Sequence, residues 1–327
     1  MISTLTPPRL LAGLLIAAAA WVLHGFVEAL LAAAITAVAS WPAYAAFRAW
    51  LPRRLGRNAA ASLFTVGITV FLLAPLVFAA WALVTEAQLM LRGLGLPGWL
   101  VTDAAFDAGG AWRLLKQHAE PAALMGWAQA LGEFTFRHLL IVAFSVLLLG
   151  FFYRHGETLV AEGRQALHRQ LGDAADRYLA VAAAAIRASV ASMLVVSLFD
   201  GLATAAVYAV AGAPRPLLWA AITGALAALP FLGYAAVAAL ALQMTLQGQA
   251  AAAVLVLAAG AAVLLAGDKL VRPLAARDGV HLPFVWVLMG CIGGFGVLGV
   301  TGLVMGPVLL ALVAEMWVSA RRQTARA

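Results

Sequence analysis

Long apolar runs separated by short charged intervals organise this chain from end to end. Runs free of charge, or nearly so, lie between Arg9 and Glu28, Glu28 and Arg48, Arg57 and Glu86, Arg137 and Arg154, and Arg187 and Arg215. Two longer ones follow, between Arg215 and Asp268 and between Asp278 and Glu315. A membrane helix takes about 20 mostly apolar residues, so the pattern predicts an all-α, polytopic membrane protein. The first five runs each supply one span. The run after Arg215 holds two apolar stretches, 217–245 and 249–267.

Two stretches do not read as plain spans. Pro230 and Gly233 interrupt 217–245 near its middle, and proline removes a backbone donor and clashes with the preceding turn. The run 283–311 carries Gly290, Gly293, Gly294, Gly296, Gly299, Gly302 and Gly306, followed by Pro307. Each glycine weakens a helix by about 1 kcal/mol relative to alanine. The expectation is six full spans plus two broken or re-entrant segments, or eight spans if both broken segments cross. The whole of 1–327 then forms one permease domain. It carries a polar extracytoplasmic insert at 86–137 and a cytoplasmic helical segment at 154–187 that runs into the fifth span.

Basic loops set the orientation. Arg48, Arg53, Arg54 and Arg57 form the densest basic cluster without an acid, which places that loop, and the N-terminus two spans earlier, in the cytoplasm. Arg321, Arg322 and Arg326 place the C-terminus there as well. Residues 17–20 imitate a signal-peptide cleavage site, but another apolar run follows at once, so the first span reads as retained. In the insert, Leu124, Trp127, Leu131 and Phe134 recur at helical spacing, as in an amphipathic helix at the interface.

Composition agrees. Of 327 residues 65% are apolar and 11% charged, where a soluble domain carries about 25% charged. The net charge of +7 comes from arginines placed between apolar runs, an orientation signal and not a nucleic-acid surface. A single cysteine, Cys291, excludes an internal disulfide framework, and the six histidines show no metal-ligand spacing. There is no phosphate-binding loop and no catalytic arrangement, so the chain is not read as an enzyme and needs no cofactor. Gly294, Gly296 and Gly299 match GxGxxG, but inside a charge-free membrane run they suit close helix approach, not a dinucleotide.

Acids inside apolar runs are the candidate chemistry. Asp200 lies deep in the fifth run and must face a partner, water or a protonation event. Asp268 closes the 249–267 stretch and is followed by Lys269, Arg272 and Pro273. Either could carry a coupling proton, and either could be a structural ion pair. Glu28 reads as a span-junction residue and Arg215 as an interfacial anchor.

The C-terminal string is Asp268-Lys-Leu-Val-Arg272-Pro273, then His281-Leu-Pro283, then Gly293-Gly294, Gly299, Gly302 and Gly306-Pro307. It resembles the autoinducer-2 exporter family of bacterial inner-membrane permeases, as does the upstream break from Pro230 to Gly233. Tyr234 stands where many members have proline. The resemblance implies a secondary transporter that exports a small polar solute such as autoinducer-2. Sodium–proton exchange, assigned to some members, is the alternative, and homo-oligomers are thought to form. A non-transporting membrane scaffold is the alternative from another class. The expected pathway uses Pro230, Gly233 and Tyr234 from one broken segment and Gly293 to Pro307 from the other. Asp200 or Asp268 would couple, and Arg272, Pro273 and Pro283 would shape the motif. The bilayer, the solute and a proton or sodium ion are the implied partners.

Overall fold

The computed structural model describes residues 24–51, 56–93, 121–229, 232–275 and 284–324, and all regular structure among them is helical. The helices are α1 (Val27–Trp50), α2 (Arg57–Gly93), α3 (Pro121–Leu171), α4 (Ala174–Val210), α5 (Pro216–Ala227), α6 (Leu232–Leu246), α7 (Ala250–Ala266), a four-residue α8 (Arg272–Ala275) and α9 (Phe284–Thr324). Six segments among the described residues are long and apolar enough to cross a membrane: Val27–Trp50, Arg57–Glu86, Phe136–Leu171, Ala174–Val210, Ala250–Ala275 and Leu288–Trp317. The chain is a polytopic, all-helical membrane protein. The expected first span, before Glu28, lies outside the described residues, as do the middle of the 86–137 insert, Pro230 and 281–283.

Both broken segments are helical hairpins. The first is α5 and α6, which pack against each other and are separated by residues 228–231. The second is α9, which turns at Gly299 (φ 59°, ψ −144°). In a straight helix Gly294 and Gly302 would stand about 12 Å apart along the axis. Here a Cβ on Gly302 would fall onto the Gly294 carbonyl, and one on Gly306 onto that of Gly290. The two arms therefore run antiparallel with their backbones in contact, and only glycine allows that approach.

One expectation needs correction. The stretch 154–187 is not one continuous helix. It breaks at Gly172 (φ 56°), between α3 and α4. A lone glycine in the left-handed region is enough to end a helix, with its N–H bonded back to His168 O at 2.9 Å.

The chain divides into two compact units. The first comprises the described residues within Met1–Thr65, Thr135–Ile186 and His281–Ala327. It is built round Tyr44 and Tyr153, both buried with ring centroids 4.7 Å apart, with Phe64 and Trp41 at 5.1 and 6.5 Å from the Tyr153 ring. The Tyr153 hydroxyl meets that of Ser40 at 2.5 Å. Arg48 and Arg57 both reach Glu157 at 3.1 Å, exposed pairs that each contribute little.

The second unit comprises the described residues within Val66–Phe134 and Arg187–Val280. Its core packs α4, α5, α6, α7 and the later part of α2 around Tyr208, Trp219, Ile222, Val237, Leu240, Met244, Val256 and Leu264. Small residues set the spacing. Gly201 on α4 faces Gly224 on α5, where a Cβ on Gly224 would come within 2.9 Å of the Gly201 Cα. The Ser197 hydroxyl uses this closeness to donate to the Gly224 carbonyl. Gly260 on α7 makes room for Val237 on α6 in the same way.

Candidate functional site

The second unit carries a carboxylate that its own surroundings do not satisfy. Asp200, two-thirds of the way along α4, is 2% exposed, and its Oδ1 has no hydrogen-bond partner among the described residues. Its carboxylate lies against the backbone of Gly267, where a Cβ would sit 3.0 Å from Cγ and closer still to Oδ1. Gly267 opens a five-residue π-helical turn, Gly267–Val271. Pro273 explains that turn. It has no N–H to give to the carbonyl four residues back, and the Arg272 N–H bonds to Gly267 O, five residues back. Single π turns of this kind recur at functional sites.

The same turn presents Asp268 and Arg272 to the space that Asp200 faces. Arg272 donates from Nε (3.2 Å) and Nη2 (2.8 Å) to Asp268 Oδ1, and the Tyr234 hydroxyl donates to Asp268 Oδ2 at 3.3 Å. Asp200, Gly233, Tyr234, Leu264, Asp268 and Arg272 line one cavity with Ala227 at the end of α5 and Leu229 just after it. Its volume is about 10 Å³, the scale of a single water. One guanidinium faces two carboxylates. Arg272 and Tyr234 occupy both oxygens of Asp268, and Asp200 Oδ1 has no hydrogen-bond partner among the described residues. Such a site can exchange a proton with one water or attract a small cation. In this conformation it has no room for an organic solute.

The structure thus brings together five of the residues singled out from the sequence: Asp200, Gly233, Tyr234, Asp268 and Arg272. Gly233 packs against Ala227, and a Cβ there would be 3.2 Å from the Ala227 Cβ. Pro273 follows directly on α8. The glycine string belongs to the first unit and forms its own arrangement. Gly294 meets Gly302, Gly306 and Pro307 meet Gly290, and Gly299 makes the turn. Gly293 and Gly296 face open space. Pro230 and Pro283 lie outside the described residues.

Sequence reasoning passes over Gly267 and reads Glu28 only as a span-junction residue and Glu86 only as the end of an apolar run. Gly267 stands directly before a candidate acid and six residues before Pro273, a signal for an altered helical turn. Glu28, in the first turn of α1, brings its carboxylate to the hairpin tip, 2.9 Å from where a Gly299 Cβ would stand. Glu86 is 1% exposed and accepts from Arg215 Nη2 at 2.7 Å. Arg215 is therefore half of an ion pair as well as a residue at a helix end.

Long apolar helices, two helical hairpins and a pair of facing carboxylates beside one of them define a class: multi-pass membrane proteins with the parts of a transporter. The sequence profile described as AI-2E family transporter matches residues 10–322. The chain belongs to that family and is a transporter, not an enzyme. It is 24% identical over 322 residues to the Escherichia coli (strain K12) protein named "Putative transport protein YdiK", covering 91% of this chain and 85% of the relative. The Shigella flexneri protein of the same name matches equally.

Proposed function

We propose that this transporter is a proton-coupled secondary exporter of a small polar solute such as autoinducer-2, seated in the bacterial inner membrane with both termini in the cytoplasm. Asp200 carries the coupling proton, and Asp268 with Arg272 holds the charge that faces it. The observation that carries this reading is the buried, unpartnered Oδ1 of Asp200 in a water-sized cavity beside the α5–α6 break. An ionisable group enclosed among membrane helices is costly to keep, and such groups mark ion and solute pathways. The broken segments supply the other need of a transporter, backbone groups free of helical pairing that can meet solute hydroxyls. Gly233 and Tyr234 serve in one segment and Gly293 to Pro307 in the other. Exposed apolar side chains such as Leu202, Val254 and Leu257 suit lipid or further copies in a homo-oligomer.

A sodium–proton antiporter is the second reading, favoured by the two carboxylates that line one cavity. A membrane scaffold would leave those carboxylates without a use. The test is flux of labelled autoinducer-2 in liposomes containing the purified protein, with and without an imposed pH gradient. Gradient-dependent flux that Asp200→Asn abolishes supports the reading. Intact coupling in that variant overturns it. Proton release on adding sodium, without solute flux, transfers the assignment to the antiporter.

A further inference from the structure

A row of polar side chains crosses the apolar core of the second unit. On α4, Asp200, Thr204 and Tyr208 follow at four-residue spacing, so they stack on one face with about 6 Å of rise between them. Helical side chains lean toward the N-terminus. The Tyr208 ring therefore reaches back toward Thr204, whose own hydroxyl donates to the Asp200 backbone carbonyl at 2.5 Å. Its hydroxyl also lies 2.9 Å from Thr223 Oγ1 on α5. The row then returns along α5 at the same spacing through Thr223, Trp219 and Arg215. Thr223 donates to the Trp219 carbonyl at 2.8 Å. Arg215 Nη2 and Gln243 Nε2 both donate to Glu86 Oε2, at 2.7 and 3.2 Å.

Three features set this row apart from ordinary helix packing. Thr204, Tyr208 and Thr223 are fully buried, so no solute passes them. Four buried polar atoms along the row lack a hydrogen-bond partner among the described residues: Asp200 Oδ1 at one end, Trp219 Nε1 between, and Glu86 Oε1 and Gln243 Oε1 at the other. Arg215 holds a left-handed backbone (φ 48°, ψ 59°) that a non-glycine residue adopts only against strain. Its side chain is half exposed while Glu86 is enclosed, so the far end of the row reaches the surface through one ion pair.

We propose that this row is a proton route joining the Asp200 cavity to Glu86. The inference rests on the proton-coupled reading above. The proton leaves an Asp200 carboxyl oxygen. Thr204 and Thr223 first turn their hydroxyls away from the backbone carbonyls they bond, and each hydroxyl then accepts a proton on its oxygen and releases its own to the next oxygen, so one O–H bond forms for each that breaks. Water carries it past Trp219, and it arrives on Glu86 Oε1. The charged groups at the two ends are Asp268 and Arg272 facing Asp200, and Arg215 facing Glu86.

The test uses the full-length protein in liposomes loaded with the pH dye pyranine and supplied with autoinducer-2. Valinomycin and a potassium gradient impose the driving potential, and labelled solute is followed in parallel. Tyr208→Phe, which removes one oxygen and keeps the ring, is expected to slow proton entry at least tenfold. Thr204→Val and Glu86→Gln are expected to act in the same direction. All three keep solute counterflow, which needs no net proton movement and shows that the protein is folded. Wild-type proton entry in Tyr208→Phe and Thr204→Val overturns the route. A wild-type protein that moves no protons overturns it too, and the labelled-solute arm then decides separately whether the exporter reading stands. If Glu86→Gln does not fold, the Tyr208 variant decides alone.

Discussion

The carboxylate of Asp200 occupies the space where a side chain on Gly267 would begin. The two residues are far apart in sequence and on different helices, so this fit couples the α4 acid to the π-helical turn that carries Asp268. Gly267→Ala is expected to displace the carboxylate and to cost about 1–3 kcal/mol as an overpacking change. Gradient-driven flux should fall at least tenfold. Shortening the acid as well, in Gly267→Ala with Asp200→Ala, should restore the unfolding midpoint but not the flux. An unchanged midpoint in the single variant would contradict the packing described.

Asp268 and Arg272 form a partly exposed pair, at 36% and 26% side-chain exposure. Their bond should therefore contribute only about 1 kcal/mol. Arg272→Gln leaves two carboxylates facing one another and is expected to destabilise by that amount or more. Adding Asp268→Asn should recover most of the loss, and a double-mutant cycle on unfolding midpoints measures the coupling.

The glycines of α9 divide into two groups. Gly294, Gly302 and Gly306 lie in backbone contact, so alanine at Gly302 must part the two arms. The expected cost is about 1–3 kcal/mol. Gly293 and Gly296 face open space, and alanine at Gly296 should be neutral or stabilising by up to about 1 kcal/mol through helix propensity. Thermal unfolding of the purified protein distinguishes the two groups.

Gly299 has a second constraint. Its φ of 59° with ψ of −144° belongs to a region that only glycine enters freely, and leaving glycine there costs about 1–3 kcal/mol. A Cβ would also press on Glu28 Oε1 at 2.9 Å. Gly299→Ala should destabilise, and Glu28→Ala added to it should recover only part of the loss, because it relieves the contact and leaves the backbone strain. Full recovery in the midpoint would show that the contact alone mattered.

The spans were legible because membrane insertion is a local requirement. A run such as 58–85 is apolar over its whole length whatever it later packs against. The hairpins were legible as breaks, through Pro230 and the glycine string, but their form was not. Whether 283–311 crosses or doubles back depends on one residue, Gly299, taking a conformation that other glycines in the same string do not. Nothing local distinguishes it from Gly296. The 154–187 stretch was misread for the same reason: Gly172 ends α3 with no proline or second glycine beside it.

By itself, the sequence determined the class of solvent, the all-helical fold, the position of the breaks and the small set of acids that a membrane would not tolerate without cause. These follow from the free energy of moving single residues into hydrocarbon. The tertiary structure decided which acids meet. Asp200 and Asp268 stand on α4 and in the π-helical turn after α7, and only the packing of small residues such as Gly267 and Gly233 brings both to one cavity. Glu86 and Arg215 show the converse. Each read as the end of an apolar run, and the fold made them an ion pair. Contacts between residues so distant in the chain are set by close packing of whole helices, and no local pattern encodes that.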